Sequence, residues 1–508
     1  MRKLLVILAI ILLADSSYGQ MSQGPLPLIR GYKTHQMRDG SLLTFERTAV
    51  RRVGSTTPKS WDAQKVYRVP VILFSFSDCD FSWDDPRQFY HSLFNERGFN
   101  LGRGPGCVAD YFRDQSQGLF NVQFDIIGPV KLSSKQKSDD KNNYGRAQIV
   151  AAIQTADAEV DFSQYDWLGN GHVPTVLFIY AGFGGNETAE ECKGCIHPNT
   201  GSLGRRTDDG VTISYYSASA ELWSNQASCG IGTICHEYCH TFGLPDLYPT
   251  DSEEYSVLDE WDLMDGGCFA DDGWCPPNLS IHERELMNWQ TPVDLTSTTV
   301  ITDMPSYDES GLAYRLVNDA YPSEYYLLEN RQQVGWDTMI PGHGLLISHV
   351  DYSETLWDYN IVNNTPNHHR FDYFHADGLD FNFYGRKNMY EDGRSIRLRH
   401  TAYPNADTLG VVHDALTDTS SPAATLYHAR SDGSKFMGKP ITQIQETDGL
   451  ISFHFSDTPD AITTPVADDG PVVIYDLQGN IVRPALNPST LRICILRYPD
   501  GTTKKVLR

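Results

Sequence analysis

The sequence predicts an α/β domain over residues 67–295 followed by a β-rich, sandwich-like domain over residues 296–457. Three observations carry this reading. Residues 69–76 (VPVILFSF) and 173–180 (VPTVLFIY) are apolar runs rich in β-branched and aromatic side chains, the composition of strands covered on both faces. Residues 86–94 and 146–160 read as helices. From residue 296 onward short alternating runs take over, at 324–328, 344–351 and 450–455. A chain of 508 residues has room for two or more such domains.

The N-terminal residues precede this frame. Arg2 and Lys3, an apolar run over 4–14, and Ser16, Ser17 and Gly19 make residues 1–19 a secretory signal peptide, too short for a permanent membrane anchor. No later segment reaches transmembrane length, so the expected product is secreted or held at the cell surface without a transmembrane anchor. Residues 20–66 are polar and interrupted by Pro and Gly, as in an N-terminal extension or propeptide. Asp39 and Asp62 are their conspicuous acidic residues, and Asp39-Gly40 reads as a turn.

Charge and cysteine content narrow the partners. Lys and Arg number 41 against 65 Asp and Glu, a net charge of −24 that repels phosphate backbones and argues against nucleic-acid partners. Ten cysteines in an exported chain suggest disulfides. Cys192 and Cys195 form a CxxC with no second CxxC, so a disulfide involving them or Cys229 is expected rather than half of a metal site. Cys235 and Cys239 read as core residues or a buried bridge.

The most specific chemistry lies in residues 236–246, HEYCHTFGLPD. On a helix, His236 and His240 stand one turn apart on the same face and can share one Zn²⁺. Glu237 is offset by about 100°, beside the metal rather than on it, where it can take a proton from an activated water. It is the candidate general base. Ile231, Ile234, Cys235, Tyr238, Cys239 and Phe242 recur at spacings of three and four, a core-facing stripe that leaves the two histidines and Glu237 off it. Gly243 is placed to stop the helix, and Pro245 stiffens the return that brings Asp246 to the spacing of a metzincin-type third ligand. Glu253, Glu254, Glu260, Glu283 and Glu285 are the alternatives if the third ligand instead comes from a downstream helix.

Residues 230–248 (GIGTICHEYCHTFGLPDLY) resemble the active-site segment of the immune inhibitor A-like family of secreted bacterial zinc metallopeptidases. Residues 70–131, 176–184 (VLFIYAGFG) and 324–352 are similar to other segments of that family, so the resemblance spans roughly residues 67–456. It implies a zincin/metzincin-like catalytic domain and a secreted zinc endopeptidase acting on protein or peptide substrates. His236, His240 and Asp246 would bind zinc and Glu237 would be catalytic. The rival function is a catalytically silent zincin serving adhesion or binding, against which the intact Glu237 counts. A zinc hydrolase acting on other bonds is less favoured.

Two segments depart from what that resemblance implies. Met264, in WDLMDGG, sits where a Met-turn would lie beneath the zinc, but position 266 is Gly where such turns carry a Tyr, which leaves the transition-state stabiliser unassigned. The loop from Asp166 to Asn170 resembles an acidic Ca²⁺ loop, yet Leu168 and Pro174 stand at two expected acidic positions, so an ordinary turn is expected over a Ca²⁺ site. Residues 458–470 read as a linker. Residues 471–508 form a small β unit of two alternating strands that resembles a shortened type IX sorting domain, with contact to a secretion machinery implied; a hairpin docked on the preceding domain is the alternative.

Overall fold

The computed structural model describes residues 31–47, 55–140, 143–251, 256–378, 390–396, 398–407, 409–459, 473–475, 493–497 and 503–507. The expected signal peptide, most of the linker, and Glu253 and Glu254 lie outside the described residues. The chain divides into two compact units, Met1–Thr458 and Pro459–Arg508.

The larger unit is a mixed α/β structure with several sheets and few helices. A hairpin of β1 (Gly31–Gln36) and β2 (Leu42–Arg47) comes first. Five strands follow: β3 (Tyr67–Ser75), β4 (Val122–Lys131), β5 (His172–Phe183), β6 (Asn199–Arg206) and β7 (Thr212–Leu222). They pair in the order β4-β3-β5-β7-β6, parallel throughout except for the antiparallel edge strand β6. The two apolar runs are the adjacent central strands β3 and β5, and side-chain alternation divides each between two cores. Val69, Val71, Leu73, Leu177 and Ile179 enter one, while Ile72, Phe74, Val176, Phe178 and Tyr180 enter the other.

The helix Pro86–Asn95 begins at Asp85, whose carboxylate accepts the Gln88 N–H, with Pro86 in its first turn. Its last residue, Asn95, donates to Phe124 O and accepts from Phe124 N at 2.9 Å each, sealing part of the open edge of β4. The helix Arg146–Ala156 packs on the second core through Ile149, Ala152 and Ile153.

Beyond the first sheet lie β8 (Val293–Asp294), β9 (Thr299–Met304), β10 (Ala313–Val317), β11 (Glu324–Arg331), β12 (Gly344–Asp351) and β13 (Phe371–Tyr373). Five of them form a sheet in the order β13-β12-β11-β10-β8, and β9 joins the strands Ile441–Thr447 and Leu450–Phe455 in another. The sequence predicts short alternating strands here, and in β11 and β12 every residue is buried, on both faces. Leu327, Leu346 and Val350 pack into the first core and Leu328, Leu345 and Ile347 into a third, shared with Ile441, Ile451 and Phe453. The charged residues in these strands are paired inside: Arg331 with Glu329 at 3.1 Å and Asp337 at 2.6 Å, and Glu324 with His349 at 2.8 Å.

The expected disulfides are not found among the cysteines whose side chains are described: these nine are free, and all but half-buried Cys79 are buried. Cys107, Cys235, Cys239 and Cys268 lie in the first core and act there as small apolar residues. Burial pushes the Cys195 thiol up to about 11 and the Cys107 thiol to about 12. None of the described helices is long and apolar enough to cross a membrane.

In the smaller unit, Val473–Tyr475, Ile493–Arg497 and Thr503–Leu507 form an antiparallel three-stranded sheet. The described residues of this unit thus form three strands where the alternation predicts two.

Candidate metal centre

The helix Gly232–Thr241 lies in the first core through the stripe read from the sequence: Ile231, Ile234, Cys235, Tyr238, Cys239 and Phe242 all belong to it. His236 and His240 share another face, their ring centroids 4.8 Å apart. Gly243 takes φ +97°, which a side chain rarely tolerates, and the chain turns back after it. That return carries Asp246 to the histidines, with its Oδ1 3.2 Å from His236 Nε2 and 3.4 Å from His240 Nε2.

Second partners fix both rings. His236 Nδ1 lies 2.9 Å from Leu263 O and His240 Nδ1 lies 2.8 Å from Leu244 O. A carbonyl only accepts, so each Nδ1 donates and a neutral ring turns its Nε2 lone pair toward Asp246. Two lone pairs facing a carboxylate oxygen need positive charge between them. Zinc donors at 2.0 to 2.1 Å in tetrahedral array stand about 3.3 Å apart, the separation of Asp246 Oδ1 from each imidazole Nε2. His240 Nε2 and Asp246 Oδ1 are buried with no hydrogen-bond partner, and the three residues' ligand atoms lie within 4.8 Å of one another. The donor set of two imidazoles and a carboxylate suits zinc.

The electrostatics show the same demand for positive charge between the three groups. Burial pushes His236 down, but the facing Asp246 carboxylate outweighs it and raises the imidazole to about 9. Burial likewise raises Asp246, and the facing histidines reverse this and hold it well below the usual carboxylate range. Burial raises Glu237 as well, with His240 and His236 offsetting only part of the shift.

Two contacts had no signal in the sequence. Thr200, on edge strand β6, places its hydroxyl 2.6 Å from Glu237 O and 3.0 Å from Glu237 Oε2. Asn360 donates from Nδ2 to Asp246 Oδ2 and accepts from Asp246 N, both at 2.6 Å. Neither residue belongs to a recognisable motif, and each reaches its partner only through tertiary packing.

The remaining sequence candidates lie elsewhere. Glu283 accepts from Ser280 N and Oγ in a capping box, and Glu285 pairs with Arg315 at 3.0 Å. Glu260 stands 3.9 Å from His35. Met264 is fully buried in the first core and its carbonyl accepts the Leu247 N–H. Asp39 accepts from Ser41 N in the hairpin turn. In the Asp166 loop, the carboxylate accepts from the N–H groups of Leu168, Asn170 and Gly171 and so closes a turn. His343, His349, His368, His369 and His375 each bond another side chain, a carboxylate or, for His375, the Thr401 hydroxyl.

Residues 208–290, which hold this whole cluster, match the family model described as Immune inhibitor A peptidase M6, catalytic domain. The chain is also 23% identical over 306 residues to Immune inhibitor A of Bacillus thuringiensis subsp. alesti, covering 47% of this chain and 44% of that protein. It thus spans less than half the length of that relative. These matches, together with the buried His-His-Asp group, make the region around the cluster similar to the catalytic domain of immune inhibitor A-like metallopeptidases.

Proposed function

We propose that the chain is an exported, zinc-dependent endopeptidase that hydrolyses peptide bonds of proteins. The observation that carries this reading is the convergence of His236 Nε2, His240 Nε2 and Asp246 Oδ1 at zinc-ligand separations, with both Nδ1 atoms tied to carbonyls. A zinc ion held by these three residues would acidify a water and polarise the scissile carbonyl. Glu237, its carboxyl raised by burial, accepts the proton of that water and returns it to the leaving nitrogen. Thr200 holds the Glu237 carboxylate from the edge strand.

Within this reading the catalytic domain is a zincin of residues 67–295 and residues 296–457 are its sandwich-like companion. The shared core between the five-stranded and three-stranded sheets supports that second assignment. Residues 1–19 direct export, and the small C-terminal β unit is a sorting segment.

The test is cleavage of an unfolded protein by the purified chain before and after removal of metal with a chelator, then with zinc restored. Loss on chelation and recovery with zinc are expected. Chelator-resistant cleavage, or a zinc-loaded protein that cleaves nothing, overturns the proposal, the latter in favour of a binding role.

A further inference from the structure

Asp246 presents one carboxylate oxygen to the histidines, and the residue that determines which one lies 114 positions downstream. A carboxylate has two equivalent oxygens and a side chain free to rotate. Here Oδ2 accepts from Asn360 Nδ2 at 2.6 Å while Asn360 Oδ1 accepts the Asp246 backbone N–H, also at 2.6 Å. One planar amide therefore grips backbone and side chain of the same residue. Only Oδ1 remains, and it faces His236 and His240. A neutral donor suits the task, because it satisfies a buried carboxylate oxygen without adding a cation that would compete with a metal.

The local fold explains why asparagine fits. Residue 360 follows the short helix Glu354–Asp358, whose end is closed by Asn360 N to Trp357 O at 3.1 Å and Ile361 N to Leu356 O at 3.0 Å. It adopts φ +56°, a left-handed conformation that Asn tolerates better than most residues. The segment after it is strapped along the metal-ligand return. Thr250 Oγ1 donates to Asn360 O at 2.9 Å, Asn363 Nδ2 to Leu247 O at 2.7 Å, and Thr250 N to Asn364 Oδ1 at 2.8 Å.

We infer that Asn360 is a positioning residue of the metal centre: it fixes Asp246 so that Oδ1 alone is offered to the cation, and the β-rich region thereby completes the site. This rests on the zinc reading above. Ligating carboxylates are commonly held by such outer hydrogen bonds, and their loss costs about 10- to 100-fold in metal affinity.

The experiment measures zinc affinity of the full chain by chelator competition, and the absorption bands of the cobalt-loaded form, for wild type, Asn360→Gly, Asn360→Asp, Asn364→Ala and Asp246→Ala. Gly keeps the left-handed backbone and removes the clamp; Asp keeps the shape and turns the donor into an acceptor. Both are expected to weaken zinc binding by about 10- to 100-fold and to shift the cobalt bands, a change that a loss of overall stability alone would not produce. Asn364→Ala, which loosens the strap without touching Asp246, should leave affinity and bands unchanged. Should Asn360→Gly fail to fold, Asn360→Asp carries the test. Wild-type affinity in the Asn360 variants, or an equal loss in Asn364→Ala, overturns the inference. If Asp246→Ala itself retains zinc, the metal-site reading falls and takes the clamp with it; if Asp246→Ala loses zinc while the Asn360 variants keep it, only the clamp falls.

Discussion

Residues 55–61 form a strap that ends the metal-site helix, and its removal should be costly. Four hydrogen bonds run from this strap to the last carbonyls of that helix. Ser55 Oγ and Thr57 Oγ1 donate to Phe242 O at 2.6 and 2.9 Å, and Thr56 donates from both N and Oγ1 to Thr241 O at 2.9 Å. Carbonyls at a helix end otherwise lack partners. Further along, Trp61 Nε1 donates to Met287 O at 2.8 Å, and the indole packs on Phe120, Tyr67, Trp289 and Phe242 with ring centroids 4.8 to 6.1 Å away. Full burial of a Trp makes its replacement by Ala cost about 3 to 5 kcal/mol. Trp61 is partly exposed, so roughly 2 to 3 kcal/mol is expected from packing, with about 1 kcal/mol more for the stranded Met287 carbonyl. Trp61→Ala should therefore lower stability by about 3 to 4 kcal/mol, read from the urea midpoint by circular dichroism. Starting the chain at residue 67 removes the four helix-end bonds as well, worth about 2 to 6 kcal/mol together, and should also weaken zinc binding, since His240 is held by Leu244 O just beyond that end. A Trp61→Ala change below about 1 kcal/mol, or a residue-67 start with unaltered stability and metal affinity, refutes the argument and marks residues 55–66 as dispensable.

Two further predictions concern buried groups. Burial, followed by the charge of Arg315, lowers His282 to about 3, so the folded chain leaves it neutral while an unfolded histidine protonates near 6.5. Its contribution to stability is present above about pH 6.5 and is lost as pH falls toward 3; His282→Gln should flatten the decline in urea midpoint between pH 7 and pH 5, and an unchanged slope contradicts the assignment. Among the nine described thiols only Cys79 is not buried, and burial raises even that one to about 11. Iodoacetamide should therefore label the native protein slowly and at Cys79 first, the others reacting after denaturation; rapid native labelling of Cys235 or Cys239 would mean that the helix packs differently.

Much of the frame was legible because its signals are local. The strands β3 and β5 are uninterrupted apolar runs that only a doubly covered sheet can bury, and the metal-site helix carries its stripe, its glycine stop and its histidine pair within a dozen residues. What failed to show depends on partners distant in sequence. Nothing local signals that both faces of β11 and β12 are buried, because their charged residues Glu324, Glu329, Arg331 and Asp351 are accommodated by pairing with one another and with His349, Asp337 and Arg370. The cysteine count suggested bridges, whereas packing uses the thiols as small apolar groups. Thr200 and Asn360 are ordinary polar residues until the sheet edge and the 360–371 segment close on Glu237 and Asp246.

In the proposed reaction Glu237 moves the proton at a metal site it does not itself build. Glu237→Gln keeps the size of the side chain and an oxygen for the Thr200 hydroxyl, but an amide cannot accept the proton. The decisive measurement is zinc content and peptide-cleavage rate of this variant side by side with wild type. Undiminished zinc with cleavage slowed about 10²- to 10⁴-fold is the result expected. Cleavage near the wild-type rate with zinc in place would contradict the account.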